Sequence, residues 1–457
     1  MKMLRFYNSF TKKKEVFKPL NDKSVRFYSC GPTVYNYPHI GNYRAYIFAD
    51  TLKRVLMYFG YEVKHIMNIT DVDDKTIRDS QKSGKSLKEF TEFFTEEFKK
   101  DISSLNIIPP NNFTKATEYI KEMLLIIETL LEKNFAYVSP DGSVYFDIRK
   151  FKDYGKLSGA VLGNEKERIK SDEYEKENAQ DFALWKSWDK NDGEVFWEPK
   201  EILHKETVIQ KGRPGWHIEC SAMSMSSLGE QIDIHTGGVD NIFPHHENEI
   251  AQSECATGKS FSKYWMHNEW VLVDNKKMAK SLGNFFTLRD LIDRKTNPIA
   301  YRFWLLMSHY RSKVNFVWEA LKGSETALKR LYSLYLELGD EVGNVNESYK
   351  RKFMDFLSDD LDTPRAITVL WELVKDDRVS NEDKKATLLD LDNVLGLGFS
   401  MLKNEQIPDE IIKIAEERET ARKGKDFKKS DELREKISSL GYEIKDIRND
   451  YKITKKV

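Results

Sequence analysis

The apolar positions fall into two alternating periods. The stretch VRFYSC at 25–30 is short, β-branched and aromatic, which predicts a buried strand ending at Cys30. A Gly-Pro turn and a loop through His39 follow. Ala45, Phe48, Ala49, Leu52, Val55, Leu56 and Phe59 then recur at three- and four-residue spacing, one face of a helix that Gly60 terminates. The stretch 61–69 returns to strand character. Strand, helix and strand in that order predict a right-handed crossover and a parallel sheet. Further helices are expected at about 87–105 and 117–131, a hairpin at 136–148 turning at Asp141-Gly142, and strands at 232–236 and 265–273. The stretch from about 150 to 211 is charged, Trp-bearing and without period, and is expected to be irregular. From Pro298 onward the pattern is mainly helical, with a small hairpin expected over 441–453.

Length and composition narrow the class. A chain of 457 residues with 40% hydrophobic content holds two to four domains with sizeable cores. The formal net charge is −1, so any nucleic-acid contact must come from local basic patches. Three cysteines, Cys30, Cys220 and Cys255, make no disulfide framework. Lys12, Lys13 and Lys14 are not followed by an apolar stretch, and no apolar run is long enough to span a bilayer. A cytoplasmic protein without a membrane partner is expected.

Three groups of residues carry candidate chemistry. Pro38-His39-Ile40-Gly41-Asn42 lies between the first strand and the long helix. There the helix N-terminus offers free N–H groups, Gly41 admits a close approach, and His39 and Asn42 add donors for phosphate. Lys277-Met278-Ala279-Lys280-Ser281 places two lysines three apart in a loop, able to hold a triphosphate as point charges. Cys30, Cys220 and the Pro244-His245-His246-Glu247-Asn248-Glu249 stretch are candidate metal ligands. A helix starting at Pro244 puts His245 and Glu249 on one face; spacing leaves His246 as an alternative to His245.

The motifs together resemble the cysteinyl-tRNA synthetase family of class I aminoacyl-tRNA synthetases. The matching stretches are CGPTVYNYPHIGN (30–42), NITDVDDK (68–75), GWHIECSAM (215–223), HTGGVDNIFPHHENEIAQSE (235–254), KMAKSLGNF (277–285) and SHYRS (308–312). DDLDTPRA and DFKKSDELREK extend the resemblance toward the C-terminus. It implies an α/β chain. A Rossmann-like parallel-sheet catalytic domain occupies 1–135 and 212–314, with a connective insertion at 136–211. A helical anticodon-stem-binding bundle at 315–400 and a small anticodon-binding domain at 401–457 follow. The resemblance implies one Zn2+ per chain on Cys30, Cys220, His245 and Glu249, with Cys255 an ordinary residue. It assigns His39, Gly41, Asn42 and Lys280 to ATP, which comes with Mg2+, and His39, Lys277 and Lys280 to catalysis. Thr70, Trp216 and Asp240 are expected around L-cysteine. The implied partners are tRNA(Cys), ATP and cysteine, and the chain is expected to act as a monomer. Two positions depart from the family's HIGH and KMSKS motifs: Asn42 ends the first, and Ala279 replaces the serine of the second. A ligase joining cysteine to an amino sugar is the nearest rival, opposed by the long helical C-terminal part. A non-catalytic zinc-bearing RNA-binding protein is a second rival, resting only on Asn42 and Ala279.

Overall fold

The structure, a computed structural model, describes residues 3–160, 181–278, 283–403, 408–447 and 450–455. Its centre is a five-stranded sheet. β1 (Ser24–Ser29) leads into α1 (Ile40–Tyr58), which returns the chain to β2 (Glu62–Ile69). The edge strand β3 (Asn112–Lys115) follows after two more helices. The second half adds α2 (Trp216–Leu228), β4 (Ile232–Gly238), α3 (Glu247–Thr257) and β5 (Ser262–Asn268). The order across the sheet is β5-β4-β1-β2-β3, with every pair parallel. Chain direction around the sheet reverses between β1 and β4. The connections that leave their carboxyl ends therefore run to opposite sides and open a crevice, the place where a parallel sheet of this kind binds ligands, while the strands themselves stay paired as far as Cys30 N and Thr236 O at 3.1 Å.

The expected helix after the first strand is present, but it is buried on almost every side. One side packs on the sheet. On another, Asp50 receives Arg54 Nε at 2.8 Å and Arg302 Nη2 at 2.6 Å, with both arginines buried. Arg302 lies in the helix Pro298–Leu306 and also donates from Nε to Leu395 O at 2.7 Å. Leu395 ends the helix Asn381–Leu395, one of four with Trp318–Glu337, Glu347–Leu357 and Thr363–Lys375. This ion cluster ties the helical part to α1, the helix that begins at the HIGN motif.

Several expectations need correction. The stretch 150–211 is not wholly irregular. It contributes the strand Phe182–Ser187, which joins the hairpin Ala136–Val138/Val144–Phe146 and Gly212–Pro214 in a four-stranded antiparallel sheet. Trp185 on that strand is fully buried and its Nε1 donates to Gln210 O at 2.9 Å. The strand expected at 265–273 is two strands. β5 ends at Asn268, and Val271–Val273 pairs instead with Val314–Phe316. A strand pair near the N-terminus, Arg5–Asn8 with Lys13–Val16, was not expected. At the C-terminal end the helices Asp409–Lys423 and Phe427–Ser439 pack with the hairpin Tyr442–Ile447/Asp450–Lys455 around Ile411, Ile414, Ala415, Ile437 and Ile444. No described helix is long and apolar enough to cross a membrane.

Candidate functional site

Four side chains meet in the crevice between β1 and β4. Cys30 follows β1, Cys220 is one turn into α2, and Glu249 is in the first turn of α3. His245 precedes that helix. The helix does not start at Pro244 as expected. Phe243 takes an extended conformation (φ −138°, ψ 131°), Ile242–His246 forms a wide turn, and regular helix begins at Glu247. The turn still brings His245 Nε2 to 3.1 Å from Glu249 Oε1. One ligand atom from each of Cys30, Cys220, His245 and Glu249 lies within 4.8 Å of the other three.

A second set, Cys30, His235, His246 and Glu249, meets the same distance limit. The hydrogen bonds separate the two. His235 Nε2 is 2.8 Å from Glu249 Oε2, which fixes that oxygen and leaves Oε1 facing His245. His246 Nε2 is 3.2 Å from Cys30 Sγ, and its Nδ1 is 2.8 Å from His267 Nε2, whose own Nδ1 is 2.8 Å from Ser9 Oγ. His235 and His246 thus support the ligands from behind. His217 does the same for His245, with the two Nδ1 atoms 2.8 Å apart, which leaves His245 Nε2 free to coordinate. Sequence reasoning did not single out His217, His235 or His267. The available signal was histidine at otherwise buried strand and helix positions.

The cluster suits a metal ion. Glu249 Oε1 is buried and accepts no aligned hydrogen bond, even from His245 Nε2 at 3.1 Å, a costly state that a cation relieves. Two sulfurs, an imidazole nitrogen and a carboxylate oxygen form a donor set favoured by zinc. Electrostatics already prepare a thiolate. The Cys30 thiol is pushed down to about 6, first by the hydrogen bond from Cys220 and then, against burial, by His245. Cys220 is correspondingly pushed up. Burial opposes charge on His245, yet Glu249 and Cys30 outweigh it and its pKa is raised.

The loop after Cys30 is locked to β2. Gly31 N donates to Asn68 Oδ1 at 2.7 Å, Asn68 Nδ2 donates to Thr70 Oγ1 at 3.2 Å, and Thr70 Oγ1 donates to Glu219 Oε2 at 3.0 Å. A Cβ on Gly31 would lie 1.8 Å from Asn68 O, so only glycine permits this approach. Thr70 is buried, and its hydroxyl proton is committed to Glu219. Trp216 stands at the rim, 40% exposed, with its ring stacked on His245 at 4.4 Å between centroids. It is not a core residue.

The HIGN segment lies beside the same crevice. His39 is the N-cap of α1: its Nδ1 accepts from Asn42 N at 3.2 Å, while Asn42 Oδ1 accepts from His39 N at 3.0 Å. Asn42 thus completes a reciprocal cap. Burial, the main cause, pushes His39 down to about 4, so the ring is neutral at pH 7. The two motif segments touch. A Cβ on Gly41 would sit 2.5 Å from Met278 Cε, and Ile40 N donates to Phe286 O at 2.8 Å. Lys277 Nζ is 2.6 Å from Asp240 Oδ1. Asp240 is therefore already engaged by the motif lysine, an arrangement the sequence did not suggest. Lys280 and Ala279 lie outside the described residues.

Comparison with known proteins agrees with this architecture. The family model described as tRNA synthetases class I (C) catalytic domain matches residues 16–326, and the DALR domain model matches 352–400. Cysteine–tRNA ligase of Chlamydia felis is 46% identical over 475 residues, covering 99% of this chain and 98% of the relative. That of Brachyspira hyodysenteriae is 46% identical over 473 residues, covering 98% of each. Among solved structures, Mycobacterium tuberculosis methionyl-tRNA synthetase in complex with methionyl-adenylate superposes with a TM-score of 0.54 at 12% identity, over 82% of this chain and 90% of that one. The Agrobacterium radiobacter K84 LeuRS–tRNA–LeuAMS complex gives 0.57 at 12% identity, over 83% and 84%. At such identity these two likenesses concern fold alone.

Proposed function

The chain belongs to the cysteine–tRNA ligase family of class I synthetases, and from that premise we propose that it activates L-cysteine with ATP and transfers the cysteinyl group to tRNA(Cys). The observation that carries the reading is the meeting of Cys30, Cys220, His245 and Glu249 in the crevice beside the HIGN cap. Serine differs from cysteine by one atom, and pocket shape separates such pairs by only about 1–3 kcal/mol. A zinc ion on these four residues would supply a soft Lewis acid that favours sulfur over a hydroxyl oxygen.

The chain's own groups do the rest. Asp240 accepts the substrate ammonium, Trp216 covers the side-chain pocket, and Thr70 lines it from the end of β2. The cysteine carboxylate attacks the α-phosphorus of ATP, and the bond to pyrophosphate breaks. Nδ1 of His39 is occupied by the cap, so the neutral ring offers Nε2–H to the α-phosphate oxygens, together with the Gly41 N–H, since Ile40 N and Asn42 N already donate to Phe286 O and His39 Nδ1. Gly41 carries no side chain over the motif backbone, so the nucleotide reaches it once it displaces the flexible Met278 Cε that now packs there, and Asn42 Nδ2 adds a donor. Lys277, with Lys280 assigned on sequence grounds, holds the leaving pyrophosphate; Mg2+ accompanies ATP. A hydroxyl of the terminal tRNA ribose then attacks the adenylate carbonyl and AMP leaves. Residues 315–400 and 401–457 bind the tRNA, and one chain suffices for the reaction. Cysteine-dependent exchange of pyrophosphate into ATP, followed by charging of tRNA(Cys), tests the proposal. Exchange with cysteine and none without it is expected; no exchange with a metal-loaded sample would overturn it.

A further inference from the structure

Asp240 and Lys277 belong to different parts of the site, yet they form one ion pair. Asp240 lies in the turn Val239–Asn241 after β4, near the amino-acid crevice, and Lys277 opens the KMAKS motif. Lys277 Nζ sits 2.6 Å from Asp240 Oδ1, and Trp270 Nε1 donates to Oδ2 at 2.8 Å. The Lys277 ammonium also lies 4.7 Å from the centroid of the Trp270 ring. Both partners are open to solvent, with side chains 63% and 51% exposed. Such a pair forms and breaks readily, contributing about 1 kcal/mol at most.

A primary ammonium on Lys277 and the α-ammonium of an amino acid make the same demands on a carboxylate. Two ammonium groups on Oδ1 would repel each other, so occupancy by one disfavours the other. We infer that Asp240 is a shared socket, held by Lys277 in the free enzyme and taken over by the substrate ammonium. Cysteine binding thereby releases Lys277 toward the triphosphate, and the two substrates bind with positive coupling. Lys277 is a positioning target of Asp240 before it is a phosphate ligand. The inference rests on the proposed role of Asp240 toward cysteine. The coupling is reciprocal: ATP, by drawing Lys277 away, clears the socket for the amino acid. Its size is bounded by the ion pair it breaks. A contribution of up to about 1 kcal/mol limits the effect to about fivefold.

The test measures the dissociation constant of a non-hydrolysable ATP analogue for zinc-loaded, full-length enzyme by calorimetry. Cysteamine carries thiol and ammonium, 3-mercaptopropionate carries thiol and carboxylate, and neither can be adenylated to a cysteinyl group. Cysteamine is expected to tighten the analogue about threefold, and 3-mercaptopropionate to leave it unchanged. In Asp240→Asn the analogue is expected to bind about threefold more tightly without any amine, with no further gain from cysteamine. Equal analogue affinity for wild type and Asp240→Asn, with no response to cysteamine in either, would overturn the inference. The cysteine affinity of Asp240→Asn separates the two readings. Unchanged cysteine binding with tighter analogue binding would refute the ammonium role and keep Lys277 restrained by Asp240. Weakened cysteine binding with unchanged analogue binding would keep the ammonium role and refute the exchange.

Discussion

His39 Nδ1 accepts the backbone N–H of Asn42 at 3.2 Å, and Asn42 Oδ1 returns the bond to His39 N at 3.0 Å. The motif's unusual last residue is thus part of the cap that fixes the tautomer of its first. Asn42→Ala is predicted to cost about 1 kcal/mol of stability through the lost reciprocal bond and to raise the KM for ATP. Asn42→Asp keeps the acceptor but brings a negative charge to the phosphate site. It should retain stability and raise the KM for ATP further than alanine does. Thermal unfolding and pyrophosphate-exchange kinetics on the two variants check this; a lower ATP KM in Asn42→Asp than in Asn42→Ala would contradict it.

Burial holds His39 at about 4, below the unfolded value of about 6.5, so the unfolded chain takes up this proton first. The contribution is complete above pH 6.5 and is lost progressively as pH falls toward 4. His39→Asn keeps a capping acceptor but cannot titrate. Between pH 7.5 and pH 5, wild type should lose about 2 kcal/mol more than this variant in urea unfolding. Parallel losses would show that His39 is not held neutral.

Gly31 has no room for a side chain, since a Cβ would lie 1.8 Å from a main-chain oxygen, whereas nothing lies within 4 Å of a Cβ placed on Gly238. Gly31→Ala is predicted to displace Cys30, costing about 1–3 kcal/mol and much of the bound metal. Gly238→Ala should leave both unchanged. Metal content and unfolding midpoints of the two variants make the comparison.

Arg302 is fully buried against Asp50, while Lys352 and Glu372 pair in solvent. Arg302→Ala strands part of a buried charge cluster and is predicted to cost about 3–5 kcal/mol. Lys352→Ala should cost under about 1 kcal/mol. Chemical denaturation of both proteins tests the contrast.

The helix after β1 was legible because Phe48, Leu52, Val55 and Leu56 keep helical spacing, and the parallel crossover followed from it. The change of sheet after Asn268 was not legible. His267, Asn268 and Glu269 interrupt the apolar run, which resumes over Trp270–Val273, and only the structure shows that the resumed run leaves the central sheet to pair with Val314–Phe316. Partner choice depends on distant sequence that periodicity does not report. The same holds for the ligand quartet. Cys30 and Cys220 are 190 positions apart, and strand order, not spacing, brings them together. Residue chemistry named Cys30, Cys220 and the 244–249 stretch as candidates, and the family resemblance chose His245 over His246. Of the buried histidines behind them, His217 and His235 lie inside matched family stretches without being assigned a role, and His267 lies in none. Their role is visible only once Glu249, His245 and His246 are placed beside them.

The selection of sulfur by a metal on Cys30, Cys220, His245 and Glu249 is tested most directly by metal content. Purified wild type and Cys220→Ser, both dialysed against the same trace zinc, are compared by mass spectrometry of the metal. The prediction is one zinc per wild-type chain and well under half in Cys220→Ser, with the preference for cysteine over serine in pyrophosphate exchange falling alongside. Wild-type protein that discriminates fully between the two amino acids while carrying no zinc would contradict the account.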